Sequence, residues 1–435
     1  MNSPISHFLL FASLLGSAGC ALAAEPNPSV TPVTLEALVA EVLASNPESQ
    51  FYDAELAVAR GEFRNAGTLA NPELAIAAGR KRVASAIAQE GTAWSVSVRQ
   101  SFDWPGRLAL RKAIANRQIQ LAEIGVAQFK VGLAARTRAL ALAVAAAQEQ
   151  LAATREVAAR FEALRDVLVQ RDPAGLTPTL ETRIIEATEL TLQRRASEAA
   201  VTERSALFEL NQLRGAAPAE PLRIERPSLL FPPAPPLEEL VRAAREKNFE
   251  LQARRVELEQ QGFRVSLARN DRNGSFSVGP YVSREGAGDR ETQFGIEATV
   301  PLPIWNRRHG DVAIAEARQR QAETVLLVAQ RNLEREIAQH AASYGARVAE
   351  IARWRADSVT KFHEAAELAD RHFRLGAVPI ATYVELQKEY LEAVAVLLDT
   401  RRDALHAAQE LHRLTGLAWH PSLTGGPGSG RGATP

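Results

Sequence analysis

Few side chains in this sequence are placed to make or break a bond. The eight histidines are scattered through 435 residues, and none pair at zinc-finger or HExxH spacing. His363 and His372, like His406 and His412, fall on stretches of helical pattern, where solvated or packing histidines are expected. A single cysteine, Cys20, rules out an intrachain disulfide and a thiolate cluster. Met1 is the sole methionine, which excludes a thioether path for copper(I). No phosphate-cradling loop is present, and no nucleophile stands with a base and an orienting group. The expectation is therefore a protein without catalytic residues, resident metal ligands or cofactor, and not an enzyme.

Cys20 instead bears on export. An apolar run from Phe8 to Leu15 leads into small residues and then Pro-rich sequence from Glu25, the pattern of a secretory signal. Cleavage after Ala21-Leu22-Ala23 makes residues 1–23 the signal peptide and removes Cys20. Ser17-Ala18-Gly19-Cys20 is instead a lipobox-like run that would keep Cys20 as a lipidated first residue, although Ser replaces the usual Leu. No later stretch reaches the ~18 uninterrupted apolar residues of a membrane helix, so a membrane span would have to be built from strands.

The elements come in two copies, at a period of about 200 residues. Leu35-Glu36-Ala37-Leu38-Val39 returns as Leu237-Glu238-Glu239-Leu240-Val241, each followed by an asparagine in register, Asn46 and Asn248. Gly175-Leu176-Thr177-Pro178 returns as Gly376-Ala377-Val378-Pro379, and Glu209-Leu210 as Glu410-Leu411. The repeats occupy residues 34–215 and 237–417. Between them lies 216–236, which carries seven prolines and reads as an extended linker. Residues 418–435, rich in Gly, Pro and Ser, read as a disordered tail. Each repeat is expected to hold a helix of about 32 residues, a β-hairpin, a helix of about 64, a Gly/Pro turn and a helix of about 35. A composition poor in aromatics (6%) and rich in helix formers agrees. With 51 basic and 51 acidic side chains there is no electrostatic reason to expect nucleic acid as a partner.

The hairpins carry the membrane reading. Trp94, Val96 and Val98 alternate with Ser95, Ser97 and Arg99, and Phe294, Ile296 and Ala298 repeat the pattern in the second half. About ten residues of period two is the length of a tilted outer-membrane strand. Trp104 and Trp305 end the second strand of each hairpin, where an aromatic girdle belongs. Four strands cannot close a barrel, and lipid does not tolerate an open edge. Three copies supply twelve strands, an even number wide enough for a lumen. The fold expected is mainly α with a transmembrane β-barrel: a long α-helical barrel plus four strands per protomer, twelve-stranded as a trimer.

Asn46-Pro47-Glu48, Asn71-Pro72-Glu73-Leu74, Pro301-Leu302-Pro303-Ile304-Trp305-Asn306-Arg307 and Arg371-His372-Phe373-Arg374-Leu375-Gly376 together resemble the TolC-like outer-membrane efflux family. Within it they are most similar to the CzcC-like branch found with heavy-metal or cation efflux pumps. The resemblance covers about residues 34–417. It implies a homotrimeric passive duct in the outer membrane with a large periplasmic portion, in contact with outer-membrane lipids, a periplasmic adaptor protein and an inner-membrane efflux pump. Heavy-metal cations are the implied cargo; drug efflux and type I protein secretion are the alternatives, and a periplasmic coiled-coil adaptor is a more distant one. The family's Arg-x-x-x-Leu-Gly turn falls on Arg371 and Leu375-Gly376, and implies adaptor docking through Arg371, Arg374, Leu375, Gly376, Ala377 and Val378. The first repeat's tip, Arg171, Gly175 and Leu176, keeps Arg and Gly but replaces Leu and adds Pro173. Glu385 falls where some members place an acidic ring residue at the periplasmic gate, and Thr382 occupies the other such position without a charge.

Overall fold

The computed structural model describes residues 32–83, 89–171, 179–225, 229–287, 289–354, 358–417 and 422–423. The first repeat runs through α1 (Leu35–Ser45), α2 (Glu48–Ala66), the hairpin β1 (Glu73–Val83) and β2 (Gln89–Phe102), α3 (Arg107–Arg171) and α4 (Thr179–Arg214). After a two-residue strand β3 (Leu229–Leu230), the second repeat runs through α5 (Leu237–Lys247), α6 (Phe249–Asn270), β4 (Phe276–Ala287) and β5 (Asp289–Thr299). It continues with α7 (His309–Arg353), α8 (Ser358–Arg374) and α9 (Ile380–Thr415), and β6 (Ser422–Leu423) follows. At 1.5 Å per residue, the 65 residues of α3 extend about 97 Å.

Three expected helices are each split in two. The opening helix of each repeat breaks at its asparagine. Asn46 ends α1 in extended geometry (ψ 122°), and Asn248 ends α5 in the same way (ψ 123°). The second long helix, expected to be continuous over Arg307–Phe373, ends at Arg353, because Trp354 is extended (ψ 134°), and resumes at Ser358. Its counterpart α3 runs unbroken.

The helices pack side by side as a wall. Toward the strands, α2 lies on α3, α3 on α6 and α6 on α7; toward the other end, α4 lies on α3, α3 on α9 and α9 on α8. Each repeat thus inserts a helix beside the other's, and α3 is the common spine. The core is strung along the wall in separate clusters. One surrounds Phe161, Ile185 and Tyr383, another Leu240, Ile337 and Leu411, and a third Leu38, Val144 and Leu210. The short helices α1 and α5 cap the middle of the wall. There Val33 bridges Ile224, and β3 pairs with β6, so residues of both the linker and the tail join short strand pairings.

The two hairpins make one antiparallel sheet in the order β1-β2-β4-β5. Among the described residues, no helix is long and apolar enough to cross a membrane.

Candidate functional site

The sheet sorts its side chains by face. Ile76 pairs with Val96, Val96 with Val282, and Val282 with Phe294. Directly opposed residues in antiparallel strands point the same way, so these four share one face with Leu74, Trp94, Val98, Val278 and Ile296. The other face carries Lys81, Ser95, Ser97, Arg99, Ser283, Glu285, Gln293 and Glu297. On it Lys81 lies 2.5 Å from Glu285, and Arg99 lies 3.8 Å from Glu297. Phe294 and Ile296 are 86% and 77% exposed on β5, too apolar for a face that meets water. From Trp94 to Phe102 the stripe, interrupted only at Gln100, covers nine residues and about 27 Å along β2 at roughly 3.4 Å per residue, the length of a tilted outer-membrane strand. The edges β1 and β5 have no partner strand among the described residues.

The strands join the helical wall through a buried arginine. Arg107, 5% exposed at the start of α3, places Nε 2.8 Å from Asp271 and donates to Ser275 at 2.9 Å. Asp103 accepts from it at 3.5 Å and from Arg111 at 2.9 Å. The first repeat's helix start is thereby tied to the end of the second repeat's α6. The corresponding turn at Trp305–Arg308 is built differently. Asn306 Oδ1 accepts from the Arg308 backbone N–H at 2.9 Å, and Arg308 takes φ +51°, left-handed without being glycine. Val300, Leu302, Ile304 and Trp305 are all exposed above it.

At the far end, α8 closes in a glycine cap. Gly376 has φ +75°, its N–H donates to Phe373 at 2.9 Å, and the Ala377 N–H donates to His372 at 2.9 Å. This pair of bonds is the Schellman arrangement, which requires the left-handed residue that glycine supplies. Leu375, 80% exposed, stands at the apex with Arg371, Ala377 and a half-buried Val378 around it. Arg374 is already engaged, 3.0 Å from Asp370 one turn back. The turn is braced from inside: Phe373 stacks on Tyr383 at 5.2 Å, and the Tyr383 hydroxyl donates to Asp370 at 3.4 Å. Burial, with Asp370 beside it, pushes that hydroxyl's pKa up, so it stays a donor. Thr382 and Glu385 stand on one face of α9, exposed and opposite the buried Tyr383, Val384 and Gln387. Of the first tip, Gly175 and Leu176 lie outside the described residues, as does Cys20, and the Arg171 side chain is likewise outside them.

Two sets of residues organise the molecule without having been given a role from sequence. Arg107, Asp103 and Asp271 are one, since they come from different repeats and meet only in the fold. The asparagines are the other: Asn46 Nδ2 donates to Leu213 O at 3.0 Å, and Asn248 Nδ2 donates to Leu414 O at 3.0 Å. Their matched position in the repeat was the available signal.

Residues 240–417 match the model of the family described as "Outer membrane efflux protein". No curated protein matches the chain significantly. Among solved structures, a membrane protein from Pseudomonas aeruginosa is similar at TM-score 0.72 and 20% identity, covering 88% of this chain and 90% of that one. The Campylobacter jejuni CmeC outer membrane channel is similar at TM-score 0.67 and 14% identity, covering 94% of each chain. The open state of the Neisseria gonorrhoeae MtrE outer membrane channel is similar at TM-score 0.67 and 15% identity, covering 88% of each. At such identities the likeness is one of fold, and it spans both repeats. Residues 240–417 thus match the outer membrane efflux protein family by sequence, and the chain as a whole has the fold of the outer membrane channels, mainly helical with four antiparallel strands.

Proposed function

We propose that three copies of this chain form the exit duct of a tripartite efflux system, with heavy-metal cations as cargo. The observation that carries the duct is the four-stranded sheet, apolar on one face, polar on the other and open at β1 and β5. A lipid-facing sheet cannot leave edge N–H and C=O groups unpaired, so it needs copies of itself to close. Twelve strands leave a lumen lined by the Ser, Lys, Arg and Glu face, and the helical walls continue that lumen into the periplasm. A periplasmic adaptor meets the Leu375-Gly376 tip, and an inner-membrane pump supplies the energy that the duct lacks. Apolar Leu375 at the apex of a braced turn supports this docking role. The cargo assignment rests on the sequence resemblance to the CzcC-like branch.

Two measurements test the reading. Unheated membrane fractions should show a trimer that heating converts to monomer; a soluble periplasmic monomer would sink the duct. A deletion strain should become sensitive to one or more of zinc, cobalt, cadmium, copper or silver and regain resistance on complementation. Sensitivity confined to organic drugs, or a lost secreted protein, would replace the cargo and leave the duct standing.

A further inference from the structure

Partway up the periplasmic wall, three potential ligands converge from two repeats. Glu156 projects from α3, and His363 and Glu367 project from one face of α8, four residues apart. His363 Nε2 lies 2.9 Å from a Glu156 carboxylate oxygen, and one ligand atom from each residue falls within 4.8 Å of the other two. Donors bound tetrahedrally to zinc at about 2.1 Å lie about 3.4 Å apart, so small side-chain rotations would close the set around an ion. Tyr390 fixes the imidazole by an edge contact at 5.2 Å, and all three ligands retain partial exposure, which leaves a route in from solvent and an open coordination position.

We propose that Glu156, His363 and Glu367 form a divalent transition-metal site of the zinc class. An imidazole nitrogen with two carboxylate oxygens suits zinc and disfavours magnesium or calcium, which prefer all-oxygen shells. Arg160 competes for the same oxygens. Its Nη2 lies 2.5 Å from Glu156 and 3.7 Å from Glu367, holding the carboxylates together without a metal. Its other terminal nitrogen, Nη1, is buried with no hydrogen-bond partner, so the guanidinium is not locked in place by a full set of bonds. Two carboxylates against one guanidinium leave the cluster net negative while the imidazole is neutral, which favours a divalent cation. The competition lowers the affinity relative to a site without the guanidinium. Because α3 belongs to the first repeat and α8 to the second, a bound ion pins the two helical hairpins to each other within one protomer.

The inference concerns binding and needs no transport, so it can fail while the duct stands, and the reverse. Untagged full-length protein, purified as its detergent complex, is titrated with zinc chloride by calorimetry in a non-chelating buffer. Expected is one saturable site per chain. His363→Ala and Glu367→Gln should each weaken it tenfold or more, while His406→Ala leaves it unchanged. Native gel migration identical to the parent confirms that the variants fold. The absence of saturable zinc binding, or binding of equal strength in His363→Ala and Glu367→Gln, overturns the proposal.

Discussion

Asn46 and Asn248 each end one helix and bind another, and Asn248 also starts the next. The Asn248 backbone N–H closes α5 on Ala244, its side-chain oxygen caps α6 by accepting from Leu251 at 3.0 Å, and its amide donates to the end of α9. Asn46 closes α1 on Val42 and donates to the end of α4 in the same way, but its oxygen accepts from Glu48 at 2.9 Å, and Pro47 is the N-cap of α2. Both side chains are buried, so a lost partner leaves carbonyl or amide groups unsatisfied away from water. Asn248→Ala should destabilise the protein by about 1–3 kcal/mol, read as a lower thermal midpoint of the purified complex. Asn248→Asp keeps the cap acceptor and loses the donor, so it should fall between. If Asn248→Ala unfolds with the parent, the amide is not a fastener. Arg107 is the other residue of this kind. Arg107→Ala leaves Asp271 without its partner, while Asp103 keeps Arg111, and should cost about 1–3 kcal/mol, the usual penalty for a hydrogen-bonded group left unsatisfied. Arg107→Lys should recover little, because a point charge cannot serve Asp271 and Ser275 at once. Sharply reduced assembled protein in membranes is the readout. Neither role was legible from composition or periodicity: the asparagines were visible as a matched pair, whereas the arginine's partners lie in the other repeat.

At the scale of elements, the repeat made the architecture readable and the interruptions were what it hid. Helix, hairpin, long helix and returning helix lie where alternation and periodicity place them, because each has a strong period over many residues. The hairpins were readable for the same reason, as Trp94–Val98 and Phe294–Ala298 keep strict alternation. Pro47 marks one broken helix, but Asn248 is followed by Phe249, and the break at Trp354 contains neither Pro nor Gly. Asn248 is a local signal, as the N-cap that starts α6, whereas no capping or turn residue at Trp354 marks the break there. The turn at the end of α8 shows the opposite case, in which one residue type decides the geometry. Gly376 has open space where a Cβ would go, so Gly376→Ala meets no clash and pays only the left-handed backbone, about 1–2 kcal/mol. That substitution should lower the thermal midpoint slightly and leave assembly intact. Leu375→Asp removes the apolar apex with no buried neighbour to disturb. It should abolish resistance to the exported toxicant while the heat-modifiable trimer persists; full resistance in this variant would count against docking through the tip.

At the scale of the whole molecule, the repeat also dictates how copies should join. The shift that carries Ala75 to Ser277 and Ser97 to Thr299 turns the first hairpin's pairing into the second's, since Ala75 faces Ser97 and Ser277 faces Thr299. The same shift can be applied to the seam between the hairpins, where Ser97 faces Tyr281 and Ser95 faces Ser283. It places Thr299 of one copy opposite Gly79 of the next, and Glu297 opposite Lys81. That register keeps the row of Ile76, Val96, Val282 and Phe294 on the lipid side, which a slip by one residue would reverse. It also sets Lys81, already beside Glu285, against a second carboxylate across the seam. Gly79 has nothing within 4 Å of a built Cβ, so a side chain fits there. The double variant Gly79→Cys with Thr299→Cys, in a Cys20→Ser background, should therefore oxidise to a covalent trimer that survives boiling in denaturing gels. Ala75→Cys with Thr299→Cys, four residues out of register on the same face, should stay largely monomeric. Efficient cross-linking of the second pair and not the first would mean that the seam between copies does not repeat the seam within them. The arrangement of three repeated protomers around one lumen would then need a different account.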